Sequence, residues 1–438
     1  MWSPSTNEEP NVVDANKSRA PAAASPQEVA KKHAASGHDR HARHCSDPMP
    51  DDKGNNMRFA KTFTPIAVAV GALLAVAPLA SRAETVVKIG FATPLTGPNA
   101  SYGKDLQNGV KMALDDAKAQ GIKINGEPVS FKLISEDDQA DPRVGVQVAQ
   151  KLVDEGVSVV VGHFNSGTTI PASDLYEKAG LPVIDPAATN PVISSRGYKN
   201  VFMVISSDAQ NAGTAGTYAV TTTKAKRIAV IDDRTAFGQG EADEFVKAVK
   251  ASGGDIIDRE YTTNQATDFK TQLTNLKSKN PDLIFVGALN PQAAGIIKQM
   301  NQLGLKAQFV GGGGVKDIDF IKLAGSVAEG AMAWEYGRPL DSTPVGAKFA
   351  ERFKQKFGQD VLSYAPFGYD AAWTAIKAMQ AANSTKPDDY RPKLQSISFD
   401  GITGHIEFNA NGSLKHGSST AYQVKNGQWV TVKTVSGL

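Results

Sequence analysis

Residues 159–180, VVVGHFNSGTTIPASDLYEKAG, place an apolar β-branched run directly before a polar turn and then a stretch with helical periodicity. The turn contains Asn165, Ser166, Thr168 and Thr169. An apolar run without polar alternation is typical of a strand that is covered on both faces, as in a parallel sheet. The segment therefore predicts a strand–turn–helix unit of an α/β protein, with small hydroxyl side chains where the helix begins.

The same alternation of strands and helices runs from residue 85 to about residue 207 and then starts again. Apolar runs such as VVKIGFA and LPVID belong to the first series, and RIAVIDD, PDLIFVGA and AQFVGGGG belong to the second, which ends near residue 336. Two such series predict two similar lobes, each a doubly wound parallel sheet, with a ligand cleft between them. The C-terminal segment predicts short strands and a hairpin, with Asn-Gly turns at residues 411–412 and 426–427.

Two polar turns at strand ends suggest what this cleft binds. Ligands of parallel sheets lie at the carboxyl ends of strands, where loops lead into helix N-termini whose free amides hold an anion without a basic side chain. Ser166 and the threonines after it would add hydroxyl donors. The turn after the next strand, DPAATNPV, should lie beside the first, and it offers Thr189 with the backbone of Ala187 and Ala188. The turns predict a site for a carboxylate-sized anion; from the first turn taken alone, a helix cap at Ser166 or Thr168 is the favoured alternative.

Tyr102 lies in a third polar turn, TPLTGPNASYG, at the start of a helix after the first strand. An aromatic ring at such a place often walls a ligand pocket. The alternative is a position in the hydrophobic core.

The motifs of enzymes and cofactor-binding proteins are not matched. GHFNSG differs from the G-x-S-x-G nucleophile elbow, and His163 directly after a strand is more often structural than a base. GGGG at residues 311–314 lacks the spacing of a dinucleotide or phosphate loop. No metal-ligand spacing is visible in residues 84–438. We therefore expect a protein that is not an enzyme and that needs no cofactor and no metal.

The first 83 residues differ in composition from the rest. Residues 1–56 are polar and Pro/Ala-rich, which predicts a disordered extension, with an over-long start assignment as one explanation. Its histidines beside Cys45 lack regular ligand spacing. Residues 57–83, MRFAKTFTPIAVAVGALLAVAPLASRA, have the basic start, apolar run and small-residue end of a secretory signal peptide.

The chain after this segment contains no Cys, so neither disulfides nor a lipid anchor at its start are expected. Residues 84–438 contain 37 Lys and Arg and 37 Asp and Glu. A neutral body argues against nucleic acid or an anionic membrane surface as a partner. A secreted, soluble protein is expected.

At these residues the chain resembles the periplasmic leucine/isoleucine/valine-binding proteins of ABC importers, over essentially all of residues 84–438. The resemblance is carried by GPNASYG, DDQADPR, VGHFNSGTTIPASDLYEKAGLPVIDPAATNP, SRGYKNVF, DDRTAFGQG, DFKTQLTNLKSKNPDLIFVG and MNQLGLKAQFVG. It implies a type I periplasmic binding protein fold, with lobe 1 at 84–207 and 337–417 and lobe 2 at 208–336 and 418–438. It also implies a monomer in the periplasm that closes on a small solute and delivers it to an inner-membrane ABC permease.

By this resemblance, Ser166 and Thr189 hold the ligand α-carboxylate, with amides near Ser166 and the carbonyl of Ala187. Aromatic residues at three matching positions line the side-chain pocket: Tyr102, Phe237 and Tyr364. An apolar, aromatic pocket favours a branched-chain or related aliphatic amino acid as the ligand. We expect Ser166→Ala and Thr189→Ala to weaken ligand binding without unfolding the protein.

Two positions depart from the family pattern. Gly313 stands where the family commonly has a glutamate that pairs with the ligand ammonium, and Leu289 stands where it often has a tyrosine. A buried ammonium without a carboxylate partner would be costly. Either Asp208 or Glu335 substitutes, or the ligand is an amide or an aromatic carboxylic acid without an α-ammonium. Asp208 has the alternative role of capping the next helix.

The sequence is also compatible with two other functions. One is a ligand-sensing receptor module that reports to a separate signalling chain. The other is a secreted hydrolase that uses Ser166, which would require turnover of an ester or amide.

Overall fold

A computed structural model describes residues 84–438. The interpretations given above to residues 1–56 and 57–83 lie outside the described residues. Within residues 84–438, no helix combines the length and the hydropathy that a membrane crossing requires.

Most of the strands are short and carry apolar β-branched residues. They are β1 (Thr85–Thr93), β2 (Lys123–Ile124), β3 (Glu127–Asp137), β4 (Val159–Gly162), β5 (Val183–Asp185), β6 (Val201–Met203), β7 (Ile228–Asp232), β8 (Ile256–Tyr261), β9 (Leu283–Gly287), β10 (Gln308–Gly311), β11 (Met332–Tyr336), β12 (Ser398–Asp400), β13 (His405–Glu407), β14 (Ser418–Lys425) and β15 (Gln428–Ser436).

The helices lie between these strands, as the sequence periodicity predicts. They are α1 (Ala100–Gln120), α2 (Pro142–Asp154), α3 (Ser166–Lys178), α4 (Val192–Ser195), α5 (Asp208–Thr221), α6 (Ala236–Ala251), α7 (Lys270–Lys279), α8 (Gln292–Gln302), α9 (Ile318–Ala324), α10 (Pro344–Phe357), α11 (Ala365–Ala382) and α12 (Pro387–Gln395). Short 3-10 helices cover Gly325–Ala328 and Leu340–Ser342.

The strands form two large sheets, and we call the layers built on them lobe 1 and lobe 2. The sheet of lobe 1 has the order β2-β3-β1-β4-β5-β6, and that of lobe 2 has the order β15-β14-β11-β10-β9-β7-β8. In the order of the lobe 1 sheet, all neighbouring strands between β3 and β6 are parallel. In the order of the lobe 2 sheet, all neighbouring strands between β11 and β8 are parallel. Parallel neighbours bring the loops that follow β1, β4 and β5 together at one edge of lobe 1.

Both sheets are covered on both faces, which explains the continuous apolar runs of their strands. In lobe 1, residues of α1 and α11 pack on one face, and residues of α2 and α3 pack on the other. In lobe 2, α7, α8 and α9 cover one face, and α5 and α6 cover the other. The strand residues of β4, β7 and β9 are buried throughout.

The C-terminal part of the chain returns to both layers. Helix α11 packs along α1 on lobe 1, whereas β14 pairs antiparallel with β11 and joins the sheet of lobe 2. The hairpin of β14 and β15 turns at Asn426 and Gly427, whose φ angles of 53° and 72° suit the Asn-Gly turn read from the sequence. At residues 411–412 the chain makes a tight turn closed by an isolated bridge between Phe408 and Leu414.

Candidate functional site

The turns after β4 and β5 lie against each other, as the parallel order predicts. The Ser166 hydroxyl accepts hydrogen bonds from the backbone N–H groups of Thr189 and Asn190, both at 3.3 Å. Ser166 and Thr189 are both buried. Ser166 is the first residue of α3, so its amide and that of Gly167 precede the hydrogen-bond pattern of the helix itself. A small polar centre with free amides is thereby formed at the edge of lobe 1.

The capping interpretation of Ser166 and Thr168 is wrong. The N-cap of α3 is Asn165, which makes no side-chain capping bond. The hydroxyls of Thr168 and Thr169 donate to the Asn165 carbonyl at 2.7 and 3.0 Å, so they are not available to a ligand as the sequence suggested. Only Ser166 of this turn has its hydroxyl directed at the second turn.

The second turn is organised by a buried carboxylate that sequence reasoning did not single out. Oδ1 of Asp185 accepts the backbone N–H groups of Ala187 and Ala188 at 3.0 and 2.8 Å. These two amides are therefore engaged within the turn, and Ala187 and Ala188 offer a ligand only their carbonyls. Asp185 Oδ2 has no hydrogen-bond partner among the described residues, and burial raises the pKa of this carboxyl to about 8.

Replacing Asp185 by Asn tests this burial. The native state holds a proton on Asp185 that the unfolded chain loses near pH 4, so wild-type stability falls as the pH rises from about 4 to about 8. Asn keeps the Oδ1 acceptor and cannot ionise. We expect Asp185→Asn to be more stable than wild type by about 3–5 kcal/mol at about pH 8 and equal to it near pH 4, measured by urea unfolding. A difference that does not change with pH would contradict the assignment.

An aromatic wall stands beside the turns of lobe 1. The ring of Tyr102 stacks on Phe164 with centroids 5.4 Å apart, and Tyr364 meets both rings edge-on at 5.8 and 4.9 Å. All three side chains are buried. Offset and edge-to-face pairs of this kind are favourable beyond the area they bury. The structure thus brings together Tyr102 and Tyr364, as expected, and adds Phe164, which the sequence analysis missed.

Lobe 2 contributes Phe237 and Leu289 to the cleft. Phe237 lies in the first turn of α6 and Leu289 in the loop after β9. A cavity of about 440 Å³ is lined by these two residues from lobe 2 and by residues such as Asn99 and Asn165 from lobe 1. The cavity therefore adjoins the predicted pocket residues Phe237 and Leu289 of lobe 2, and it reaches lobe 1 at Asn99 and Asn165.

Direct hydrogen bonds join the two lobes across the cleft. The Tyr102 hydroxyl lies 2.8 Å from the Gly314 carbonyl and 2.8 Å from Asp317 Oδ2. The Asn190 side chain donates to the Ala236 carbonyl at 2.6 Å. These bonds hold the start of α1 and the loop after β5 against the loop after β10 and the start of α6.

Acidic side chains gather at the centre of the cleft around the Tyr336 hydroxyl. This oxygen lies 3.1 Å from each of Thr189 Oγ1, Asp208 Oδ1 and Glu241 Oε1. Gly313 donates its backbone N–H to Glu241 Oε1 at 2.7 Å. Burial raises the pKa of Asp208 to about 7, and burial together with the charge of Asp208 raises the pKa of Glu241 well above its ordinary value.

Asp208 does not cap the following helix. The N-cap of α5 is Ser207, whose backbone N–H donates to Gln210 Oε1 at 3.0 Å, and Asp208 is the first helical residue. Its side chain faces Tyr336 in the cleft. The other acid considered above, Glu335, accepts the Gly314 N–H with both oxygens, at 3.0 and 3.3 Å. Burial raises the pKa of Glu335 to about 7.

Glu241 and Tyr336 were also missed by sequence reasoning, although the sequence contains a signal for Glu241. Along α6, Glu241 is four residues after Phe237 and four residues before Phe245, so it occupies the buried stripe of the helix. A charged residue in an apolar stripe is unusual and indicates a function or a buried pair. Tyr336 carries no comparable signal, because it only ends an apolar strand.

His163 has a structural environment. It is buried, with Nδ1 2.7 Å from Asp138 Oδ2 and Nε2 3.0 Å from the Tyr176 hydroxyl. Both ring nitrogens are engaged away from the Ser166 hydroxyl. In the described part of the chain, no group of three or more His, Cys, Asp or Glu side chains has the geometry of a metal site.

Comparison with known proteins identifies the family. The family model described as periplasmic binding protein matches residues 86–428. The chain belongs to the periplasmic binding protein family. The two lobes and the cleft described above are those of the type I fold of this family, so the fold and the resemblance inferred from the sequence are confirmed.

Individual periplasmic binding proteins are similar over nearly their full length. Leu/Ile/Val-binding protein homolog 1 of Brucella suis is 34% identical over 357 residues, which are 81% of this chain and 95% of that protein. A leucine-, isoleucine-, valine-, threonine- and alanine-binding protein of Pseudomonas aeruginosa is 32% identical over 371 residues, 85% of this chain and 97% of that protein.

A solved structure is similar over most of this chain. The branched-chain amino acid transporter substrate-binding protein of Streptococcus pneumoniae, in complex with isoleucine, has a TM-score of 0.71 at 25% identity. The match covers 80% of this chain and 100% of the chain in that structure.

Proposed function

We propose that this protein is the solute-binding component of an ABC importer and that it binds a branched-chain or related aliphatic amino acid. The observation that carries the proposal is the junction of the two turns, where the Ser166 hydroxyl meets the amides of Thr189 and Asn190. The names of two relatives support the ligand class. The Brucella suis protein is named as a homolog of the Leu/Ile/Val-binding protein, and the Pseudomonas aeruginosa protein is named for binding leucine, isoleucine, valine, threonine and alanine.

In this proposal the ligand carboxylate binds at the junction of the turns. Ser166 and Thr189 supply hydroxyls, the first amides of α3 supply N–H donors, and the carbonyls of Ala187 and Ala188 supply acceptors. The ligand side chain lies against the aromatic and apolar residues of both lobes: Tyr102, Phe164, Phe237, Leu289 and Tyr364. An apolar pocket with few polar groups is the usual form of such a site.

We propose hinge closure as the binding mechanism. Lobe 1 comprises residues 84–207 and 337–417, and lobe 2 comprises residues 208–336 and 418–438, so the chain crosses between lobes three times. A ligand that docks first on lobe 1 is then covered by Phe237 and Leu289 of lobe 2. Closure is driven by contacts that the ligand makes only in the closed state.

The proposal includes the location and the partners of the protein. It acts as a monomer in the periplasm after removal of residues 57–83, and it delivers its ligand to an inner-membrane permease. It performs no catalysis in this proposal, since the Ser166 hydroxyl accepts backbone N–H groups and both ring nitrogens of His163 are engaged by Asp138 and Tyr176.

Isothermal titration calorimetry of the purified protein with leucine, isoleucine, valine, threonine and alanine tests this function. A thermal-shift screen with the same ligands and with simple carboxylic acids should show a raised melting temperature for the true ligand, because it binds only the folded state. Absence of binding for all the aliphatic amino acids would refute the proposal. Acids without an amine are the second candidate ligands, because Gly313 provides no carboxylate at the position where the family commonly has glutamate.

Tyr102→Phe should weaken ligand binding by about 3- to 10-fold. The substitution keeps the stack on Phe164 and removes the hydrogen bonds to Gly314 and Asp317, which exist only when the lobes are in contact. Calorimetry measures the effect. Tyr198→Phe is the control, since the Tyr198 hydroxyl bonds to Asp174 within lobe 1. Equal affinities for wild type and Tyr102→Phe would show that this bond does not contribute to closure.

A further inference from the structure

Two carboxylate oxygens at the centre of the cleft have no hydrogen-bond partner among the described residues. They are Oδ2 of Asp208 and Oε2 of Glu241, and both side chains are fully buried. Leaving a buried acceptor unpaired is costly, and more so for a group that can carry charge. Such groups in a native structure require an explanation, and a ligand that donates to them is one.

The pair also has no basic partner in the described part of the chain. The Tyr336 hydroxyl is 3.1 Å from one oxygen of each carboxylate, but it has a single proton and therefore donates to only one of them at a time. The other contacts of the pair are the Gly313 amide, the Thr189 side chain and the charges of Glu244 and Glu335. No Lys, Arg or His side chain among residues 84–438 is paired with either acid. The centre of the cleft thus holds two buried acids with no cationic side chain of the described residues paired to them.

The backbone around the pair is shaped to admit these carboxylates. A Cβ atom at Gly312 would overlap the Glu241 carboxylate, and a Cβ atom at Gly240 would lie 3.0 Å from Asp208 Oδ2. A side chain at Gly313 would overlap the Tyr336 ring. Three glycines therefore replace side chains where Asp208, Glu241 and Tyr336 meet. Glycine in these positions allows close approach of the backbone, at a cost in conformational entropy.

We propose that Glu241 and Asp208 together bind the α-ammonium group of an amino-acid ligand. The inference rests on the proposed function, in which the ligand carboxylate lies at Ser166 and Thr189. The Tyr336 oxygen is equally far from Thr189 Oγ1 and from Glu241 Oε1, so the two sites adjoin, as two groups on one α-carbon require. An ammonium carries three donors and a positive charge, which is what the unpaired oxygens lack.

This assignment distinguishes Glu241 from Glu335, another buried acid of the cleft. Both oxygens of Glu335 accept from the Gly314 amide, so Glu335 is already paired within the loop after β10. Glu241 instead reaches the Gly313 amide from α6 and keeps Oε2 free. A carboxylate from a neighbouring helix thereby occupies the place beside Gly313. The ligand class is accordingly amine-bearing acids, not aromatic or simple carboxylic acids.

Three ligands with one carbon skeleton test the inference by calorimetry on the full chain. L-leucine carries both charged groups, 4-methylpentanoate lacks the amine and 3-methylbutylamine lacks the carboxylate. Wild type should bind leucine at least about 100-fold more tightly than 4-methylpentanoate. Glu241→Gln and Asp208→Asn should each weaken leucine binding by about 10-fold or more and change 4-methylpentanoate binding by less than about twofold.

Two control variants separate Glu241 from other acids. Glu335→Gln changes a buried acid that is already paired, and Glu244→Gln makes the same change on α6 at an acid paired with Lys247. Both should retain the preference for leucine. Loss of that preference in Glu335→Gln but not in Glu241→Gln would overturn the assignment, and the wild-type ligand series tests it even if a variant fails to fold.

The outcomes distinguish this inference from the proposed function. Equal wild-type affinity for leucine and 4-methylpentanoate would overturn the ammonium site and leave carboxylate binding intact. Absence of binding for leucine, for the other aliphatic amino acids and for both analogues would refute the proposed function, and the inference with it.

Discussion

Ser166→Ala should lower ligand affinity by roughly 10- to 100-fold, because a hydrogen bond to a charged group is worth about 1.5–3 kcal/mol. The hydroxyl is buried at the junction of the two turns, where it accepts the amides of Thr189 and Asn190. Its removal takes away a donor for the ligand carboxylate and also the atom that holds the second turn in place. The fold should survive, since Ser166 is one small residue at the start of α3.

Thr169→Val is the matched control for this prediction. It removes a buried hydroxyl from the same helical turn, but that hydroxyl donates only to the Asn165 carbonyl. Calorimetry should show wild-type affinity in Thr169→Val and the loss only in Ser166→Ala, with similar unfolding curves for both. Wild-type affinity in Ser166→Ala would remove the junction of the turns as the carboxylate site.

Gly109→Ala should destabilise the protein by about 3 kcal/mol, because it adds a methyl group where two backbones touch. Helices α1 and α11 pack along each other on lobe 1, and a Cβ atom at position 109 would overlap the Ala365 carbonyl. Backbone cannot move aside as a flexible side chain can. The expected result in urea unfolding is a lower midpoint, and ligand binding should weaken as well, since Tyr364 at the N-terminus of α11 walls the pocket.

Gly213→Ala provides the comparison, since Gly213 is also a glycine inside a helix, α5, and has open space where a Cβ would be built. This change should stabilise the protein by about 0.4–1 kcal/mol, through loss of freedom in the unfolded chain. Similar unfolding midpoints for the two variants would contradict the close contact between α1 and α11.

The sequence predicts the fold, and it also predicts that the two turns of the candidate site on lobe 1 lie side by side. The buried run before Ser166 and the one before Thr189 are local patterns, and the parallel order of neighbouring strands suffices to bring their turns together. The hydrogen-bond partners within the turns could not be predicted from the sequence. That Thr168 bonds to Asn165 and that Ala188 bonds to Asp185 depends on the course of each loop, which periodicity does not specify.

The lobe 2 half of the site could be predicted only in part. Glu241 has a local signal, since it interrupts the buried stripe of α6, but its partners Asp208 and Tyr336 come from α5 and β11 and meet only in the folded chain. The departure at Gly313 poses the question of which acid pairs with a ligand ammonium. The proposed answer, Glu241 with Asp208, requires three elements in contact, and no pattern in one segment contains it.

The pairing of β14 with β11 has a consequence for how the protein is made. Strand β11 ends at Tyr336, yet its neighbour β14 begins only at Ser418, so one edge of the second sheet stays unpaired until residues 418–425 have been made. Neither lobe is encoded by one continuous stretch of the gene. Expression of either half on its own would require splicing distant coding segments with a short connector, and a premature stop codon shortly before β14 would leave β11 as an open edge prone to aggregation.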